Sequence, residues 1–136
     1  MTRIIVAFSA ALFTAACFAQ APRVSLKGHD PVSYFTEGRP VKGQANINYD
    51  YDEARYLFAS PRNRELFAAS PERYTPQFAG LCATGMGLGM KAEADPSVFK
   101  IVEGKLYVFS STAAREKADE DPTLLAKSQQ NWRSAR

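Results

Sequence analysis

The run Phe99-Lys100-Ile101-Val102-Glu103-Gly104-Lys105-Leu106-Tyr107-Val108-Phe109 limits the fold more than any other stretch of the chain. Two β-favouring segments flank a two-residue Glu-Gly link, and Gly accepts the positive φ of a tight turn, so the run predicts an antiparallel hairpin. A second hairpin is predicted upstream. Ile47, Tyr49 and Tyr51 alternate with polar neighbours, as a half-buried strand requires, and a turn at Asp52-Glu53 leads into the aromatic-rich segment 55–59.

Helices are announced by their start signals. Ser60-Pro61 places a capping hydroxyl before a Pro at the first helical position, where no amide hydrogen bond is lost. Leu66 and Phe67 supply that helix's apolar face, and Ser70-Pro71 repeats the signal before Tyr74 and Pro76. Residues 112–117 are helix-prone, and Asp121-Pro122 caps a last helix whose Leu124, Leu125 and Trp132 dock on the sheet. Gly28-His29-Asp30-Pro31 reads as a turn, residues 32–35 as a short apolar element and residues 38–43 as a loop. No internal repeat of useful length stands out. The pattern predicts an α+β fold, a small antiparallel sheet of hairpins packed with short helices.

At 136 residues with 46% hydrophobic content, the chain suits one domain. Its 17 basic and 14 acidic residues are scattered, which argues against a nucleic-acid surface. Arg3 followed by an apolar run over residues 4–13, too short to span a bilayer, and then small residues, reads as a cleavable leader. Cleavage after Ala19 makes residues 1–19 a signal peptide, 20–27 a flexible lead-in and 28–136 the folded domain. Ala15-Ala16-Cys17 also resembles the end of a lipoprotein signal, although Thr14 replaces the usual Leu; lipid attachment at Cys17 is the lesser alternative. Either route takes the domain to the periplasm or beyond. No later segment is apolar enough to span a membrane. With Cys17 removed or lipidated, Cys82 is the mature domain's lone thiol and has no partner for an internal disulfide.

Asp30-Pro31-Val32, then Tyr56-Leu57-Phe58-Ala59-Ser60, Phe67, Pro71 and Tyr74, resemble the core pattern of the YHS domain family. Gly28 to Phe35, Gly80-Leu81-Cys82-Ala83 and Gly104-Lys105-Leu106-Tyr107 resemble its exported, single-domain bacterial branch, and the likeness covers roughly residues 25–133. The resemblance implies a small α+β fold related to treble-clef metal modules. It also implies an association with copper pumps and oxygenases, with metal held by cysteine-bearing members. This chain departs from them at the ligand positions: Ser33, Ala59 and Asn63 stand where those members carry Cys.

A metal function must then be built from other residues. Cys82, Met86 and Met90 are soft donors suited to copper(I), with His29 as a distant fourth ligand. Spacing of four residues puts the three sulfurs on one face of a helix, but Gly85, Gly87 and Gly89 cost such a helix roughly 3 kcal/mol. An extended chain aligns Met86 with Met90 and leaves Cys82 too far away; a pliable glycine loop lets the sulfurs converge. The competing reading makes both Met residues core fillers and Cys82 a small buried hydrophobe. His29 serves equally as a ligand for metal or haem, an acid/base group, or a clasp on its own turn.

No phosphate-binding loop, nucleophile elbow or paired zinc ligands are present, and a Cys82–His29 pair lacks a third orienting residue. The expectation is an exported, non-enzymatic binding module for copper(I) or another soft transition metal. The alternatives are a structural or protein-interaction domain with no small ligand, whose partner is a periplasmic protein, and a haem-binding module served by the abundant aromatic side chains.

Overall fold

The computed structural model describes residues 20–136. Both predicted hairpins form. β2 (Gln44–Tyr51) pairs antiparallel with β3 (Ala54–Phe58), and β4 (Asp95–Val102) with β5 (Lys105–Phe109). Asp52 and Glu53 turn the first hairpin at φ of 46° and 66°, and Glu103 and Gly104 turn the second at 52° and 74°. Left-handed pairs of this kind match the strands' own twist.

The segment 20–27, expected as a loose lead-in, joins the fold from Arg23 onward. β1 (Arg23–Val24) pairs parallel with β3, which makes the first sheet mixed, with strand order β1-β3-β2. Ser25 and Leu26 are buried behind it. The short apolar element is α1 (Ser33–Thr36), a single helical turn. Ser60 caps α2 (Pro61–Ala69) by accepting the Asn63 amide at 3.2 Å, and α3 (Pro71–Tyr74) follows. α4 (Ala83–Gly87) is one turn, and α5 (Thr112–Glu120) is capped by Ser111. The last helix, α6 (Leu124–Ser134), starts later than Asp121-Pro122 suggests. The Asp121 carboxylate is taken up in a local turn, accepting from the Thr123 amide and hydroxyl, so it does not cap the helix. Among the described residues no helix is long and apolar enough to cross a membrane.

The fold holds a repeat that the sequence hides. A left-handed turn at Leu26, Lys27 and Gly28 (φ 53°, 48°, 83°) precedes α1, and another at Phe78, Ala79 and Gly80 (59°, 53°, 81°) precedes α4. Non-Gly residues enter this region at a cost of about 1–2 kcal/mol each, so its occurrence twice in succession is not a generic loop. Next come matching bridges, His29 with Lys42 and Leu81 with Glu93. The Asp30 amide donates to the Val41 carbonyl at 2.8 Å, and the Cys82 amide to the Ala92 carbonyl at 2.9 Å. Each hairpin shifts register near its start, between Gln44 and Asn48 and between Asp95 and Phe99. Each then runs into a Ser-capped helix of 9 residues. Residues correspond at a separation of 52 up to the one-turn helix and 51 after it. Gly28/Gly80, Tyr56/Tyr107, Phe58/Phe109, Ser60/Ser111, Arg64-Glu65/Arg115-Glu116 and Pro71/Pro122 are the same on both sides.

Each unit has its own core. Val32, Ala54, Tyr56, Phe58, Phe67 and Tyr74 form the first, an aromatic cluster around Phe67. Phe78, Cys82, Met86, Leu106, Val108, Phe109, Ala118 and Leu124 belong to the second, which Leu26 and Tyr34 of the first unit also enter. Tyr34 meets Phe99 edge-on at 4.8 Å, and Phe35 touches both cores, so the units are welded together. Leu125 and Trp132 pack on the second core, as expected.

Candidate functional site

The expected ligand set divides. Cys82 ends the second left-handed turn and begins α4, where its backbone is still extended. Its Sγ accepts from the Ser110 amide at 3.2 Å and the Gly85 amide at 3.5 Å, and its thiol lies 3.5 Å from the Ser110 hydroxyl. Sulfur is a weak acceptor, so two converging amides mark a place built for an electron-rich atom. Beside it opens a cavity of ≈ 260 Å³ whose lining includes Cys82, Gly85, Met90, Ser110, Ala114 and Lys117.

The glycines explain how Met90 arrives. α4 lasts one turn, and Gly89, at φ of 79°, reverses the chain so that the Met90 amide reaches back to the Gly85 carbonyl at 2.8 Å. Neither a continuous helix nor a strand does this; a single turn closed by a left-handed Gly does. Met90 is 54% exposed and lines the Cys82 cavity. Met86 points the other way, 2% exposed in the second core. Gly87 is required by packing, since a Cβ there would stand 2.6 Å from Leu124 Cδ1 of α6.

His29 belongs to the first unit. Its Nδ1 lies 3.0 Å from the Leu26 carbonyl oxygen, so the ring fastens its own turn, and it does not line the Cys82 cavity. Among the described residues no three His, Cys, Asp or Glu side chains are grouped to hold a metal ion. The soft pair Cys82 and Met90 is what the cavity offers. No carboxylate lines it and Lys117 does, which disfavours hard divalent cations that need anionic oxygen. Cys17 and the proposed leader lie outside the described residues.

Sequence reasoning passed over Asp30, placing it only in a turn. It is fully buried at the centre of the first unit. Its Oδ1 accepts from the Val32 amide at 2.8 Å, and its Oδ2 from the Ala59 amide at 2.9 Å and the Asn63 carboxamide at 2.8 Å. Ser33 donates its hydroxyl to the Asp30 carbonyl at 2.7 Å and accepts from the Val41 amide at 3.0 Å. The three positions at which the resemblance implies thiolates all touch Asp30. Here they do not fit a metal: Ser33 and Asn63 are committed to this network, and Ala59 has no donor side chain. The signal in the sequence was Asn63, the third residue of a helix that follows a buried strand, readable only once Asp30 is known to face it.

The aromatic surplus opens a smaller cavity, ≈ 200 Å³, between Tyr51, Tyr56, Phe78 and Trp132. Burial pushes Tyr56 up to about 12 from its ordinary 10.0. Tyr34, which donates to the Pro96 carbonyl at 2.7 Å, is raised by burial and by the nearby Asp95 charge.

No curated protein and no solved structure matches the chain significantly. The model of the YHS domain, a family associated with metal and with copper in particular, matches residues 32–78, which is most of the first unit and stops as the second begins. Over residues 32–78 the chain is similar to the YHS domain.

Proposed function

We propose that the protein is an exported, non-enzymatic module that binds a soft metal ion, copper(I) foremost, through Cys82 and Met90. The observation that supports this reading is the shared cavity. A thiol and a thioether, the softest donors a protein has, line one solvent-open hollow free of carboxylates and rimmed by Lys117. Binding would release the Cys82 proton to water, and the amides of Gly85 and Ser110 already aimed at Sγ would support the sulfur's negative charge. Met86 and His29 are left out of the ligand set: Met86 is core, and His29 fastens its own turn. Export follows the leader-like order of residues 1–19 and suits a lone thiol that needs no disulfide partner.

A copper(I) titration against a chromophoric chelator tests the reading. The wild type should withdraw one equivalent of copper. Cys82→Ser with Met90→Leu should lose at least tenfold in affinity, and Met86→Leu should change it less than twofold. Equal binding by the wild type and the Cys82→Ser, Met90→Leu variant would contradict the proposal.

A further inference from the structure

The two units can be compared atom by atom at their centres. In the first, the Asp30 side chain leaves the end of a left-handed turn and is met by the Ala59 amide, just beyond the second strand of the hairpin. In the second, the Cys82 side chain leaves the equivalent turn and is met by the Ser110 amide, at the position equivalent to Ala59. Each side chain also accepts an amide from where the following one-turn helix begins, that of Val32, just before α1, in one case and that of Gly85, one position further along and within α4, in the other. The third donor differs. Asn63 reaches Asp30 from the first turn of α2, while its counterpart in α5 is Ala114, which reaches nothing. Ser33, which completes the first network, has Gly85 as its counterpart. The cavity beside Cys82 is lined by Gly85, Ser110 and Ala114, so it lies where the first unit keeps the side chains of Ser33 and Asn63.

We propose that the Cys82 cavity is the emptied counterpart of the Asp30 network: one structural unit occurs twice, the first copy closed as a scaffold and the second trimmed at positions 85 and 114 to make room for a ligand. Gly85, Ser110 and Ala114 thereby become site positions, Ser110 by holding the sulfur and the other two by their lack of bulk. The equivalence stands on geometry; that the ligand is a soft cation rests on the reading above. The lining also holds Lys117 and the three hydroxyl residues Thr84, Ser110 and Ser111, but its two sulfurs are the donors that select a soft cation.

The test rebuilds the closed network in the second unit. Urea denaturation of purified, metal-free protein is measured for Cys82→Asp, Ala114→Asn, the double variant, and the control pair Cys82→Asp with Ala114→Leu. Cys82→Asp alone should be strongly destabilised or fail to unfold cooperatively, because its carboxylate lacks the third donor. Adding Ala114→Asn should restore cooperative unfolding and raise the folding equilibrium constant at least tenfold over Cys82→Asp. Ala114→Leu, of similar size without a donor, should give no such recovery. Failure of the Asn double variant to recover beyond the Leu control, or to fold at all, overturns the equivalence. A silver(I) titration of Ala114→Asn with Cys82 intact separates the two claims. Recovery of the network together with no silver binding by the wild type would retain the duplication and remove the soft-metal ligand. Recovery with wild-type binding weakened at least tenfold by Ala114→Asn supports both.

Discussion

The same backbone device appears twice in this chain and is filled differently. Around Asp30, three donors lie within 2.9 Å of a buried carboxylate, two from the backbone and one from Asn63. Around Cys82, two amides stand at 3.2 and 3.5 Å from a sulfur, and a cavity replaces the third partner. Short charge-assisted bonds lock a strand end, a helix start and a turn into one rigid unit; long bonds to sulfur hold much less. The comparison teaches that one half of the molecule invests its polar centre in stability, and the other leaves its centre available.

The sharpest way to break that comparison is to remove the two central groups in turn. Asp30→Ala leaves the Val32 amide, the Ala59 amide and the Asn63 carboxamide without their acceptor and should cost about 4 kcal/mol in urea denaturation. Equal losses at positions 30 and 82 would erase the asymmetry. A smaller effect probes the one-turn helices. Gly87, at the position equivalent to Phe35, lies against α6, and Gly87→Ala should cost about 2 kcal/mol because the Leu124 and Ser128 side chains must shift, the Ser128 hydroxyl giving up its hydrogen bonds, while the Leu124 carbonyl oxygen stands 3.1 Å from the new Cβ. An alkaline effect is of comparable size. Tyr34 and Tyr56 are both held protonated in the folded state, so above pH 10 the unfolded chain binds fewer protons and stability falls as pH rises towards 12. The loss should be on the order of 2 kcal/mol, and denaturation of a Tyr34→Phe, Tyr56→Phe variant should show it flattened. The smallest loss is expected at the open centre, where Cys82→Ala should cost about 1 kcal/mol.

Much of the architecture was legible because it rests on local chemistry. Glu103-Gly104 and Asp52-Glu53 can each take left-handed φ, and Ser60-Pro61 can only start a helix comfortably. The duplication was not legible, because what it conserves is mostly backbone. A left-handed turn is occupied by Leu-Lys-Gly once and Phe-Ala-Gly once, and a buried acceptor is Asp once and Cys once. The identities that remain, nearly all at a separation of 51, are too sparse along the chain to read as a repeat. The site was half legible. Soft-donor chemistry selects Cys82 and Met90, but spacing alone cannot tell that Gly89 turns Met90 back while α4 sends Met86 inward. Asp30 was hidden because its partners lie 29 and 33 residues away.

The central claim is that the ligand site lies in the second unit and not within the matched segment 32–78. Backbone amide NMR during titration with silver(I), a redox-inert stand-in for copper(I), tests it directly. The account predicts shifts at Cys82, Gly85, Met90 and Ser110, with Val32, Ala59 and Asn63 unmoved. Shifts centred on Val32, Ala59 and Asn63 instead, or none anywhere, would contradict it.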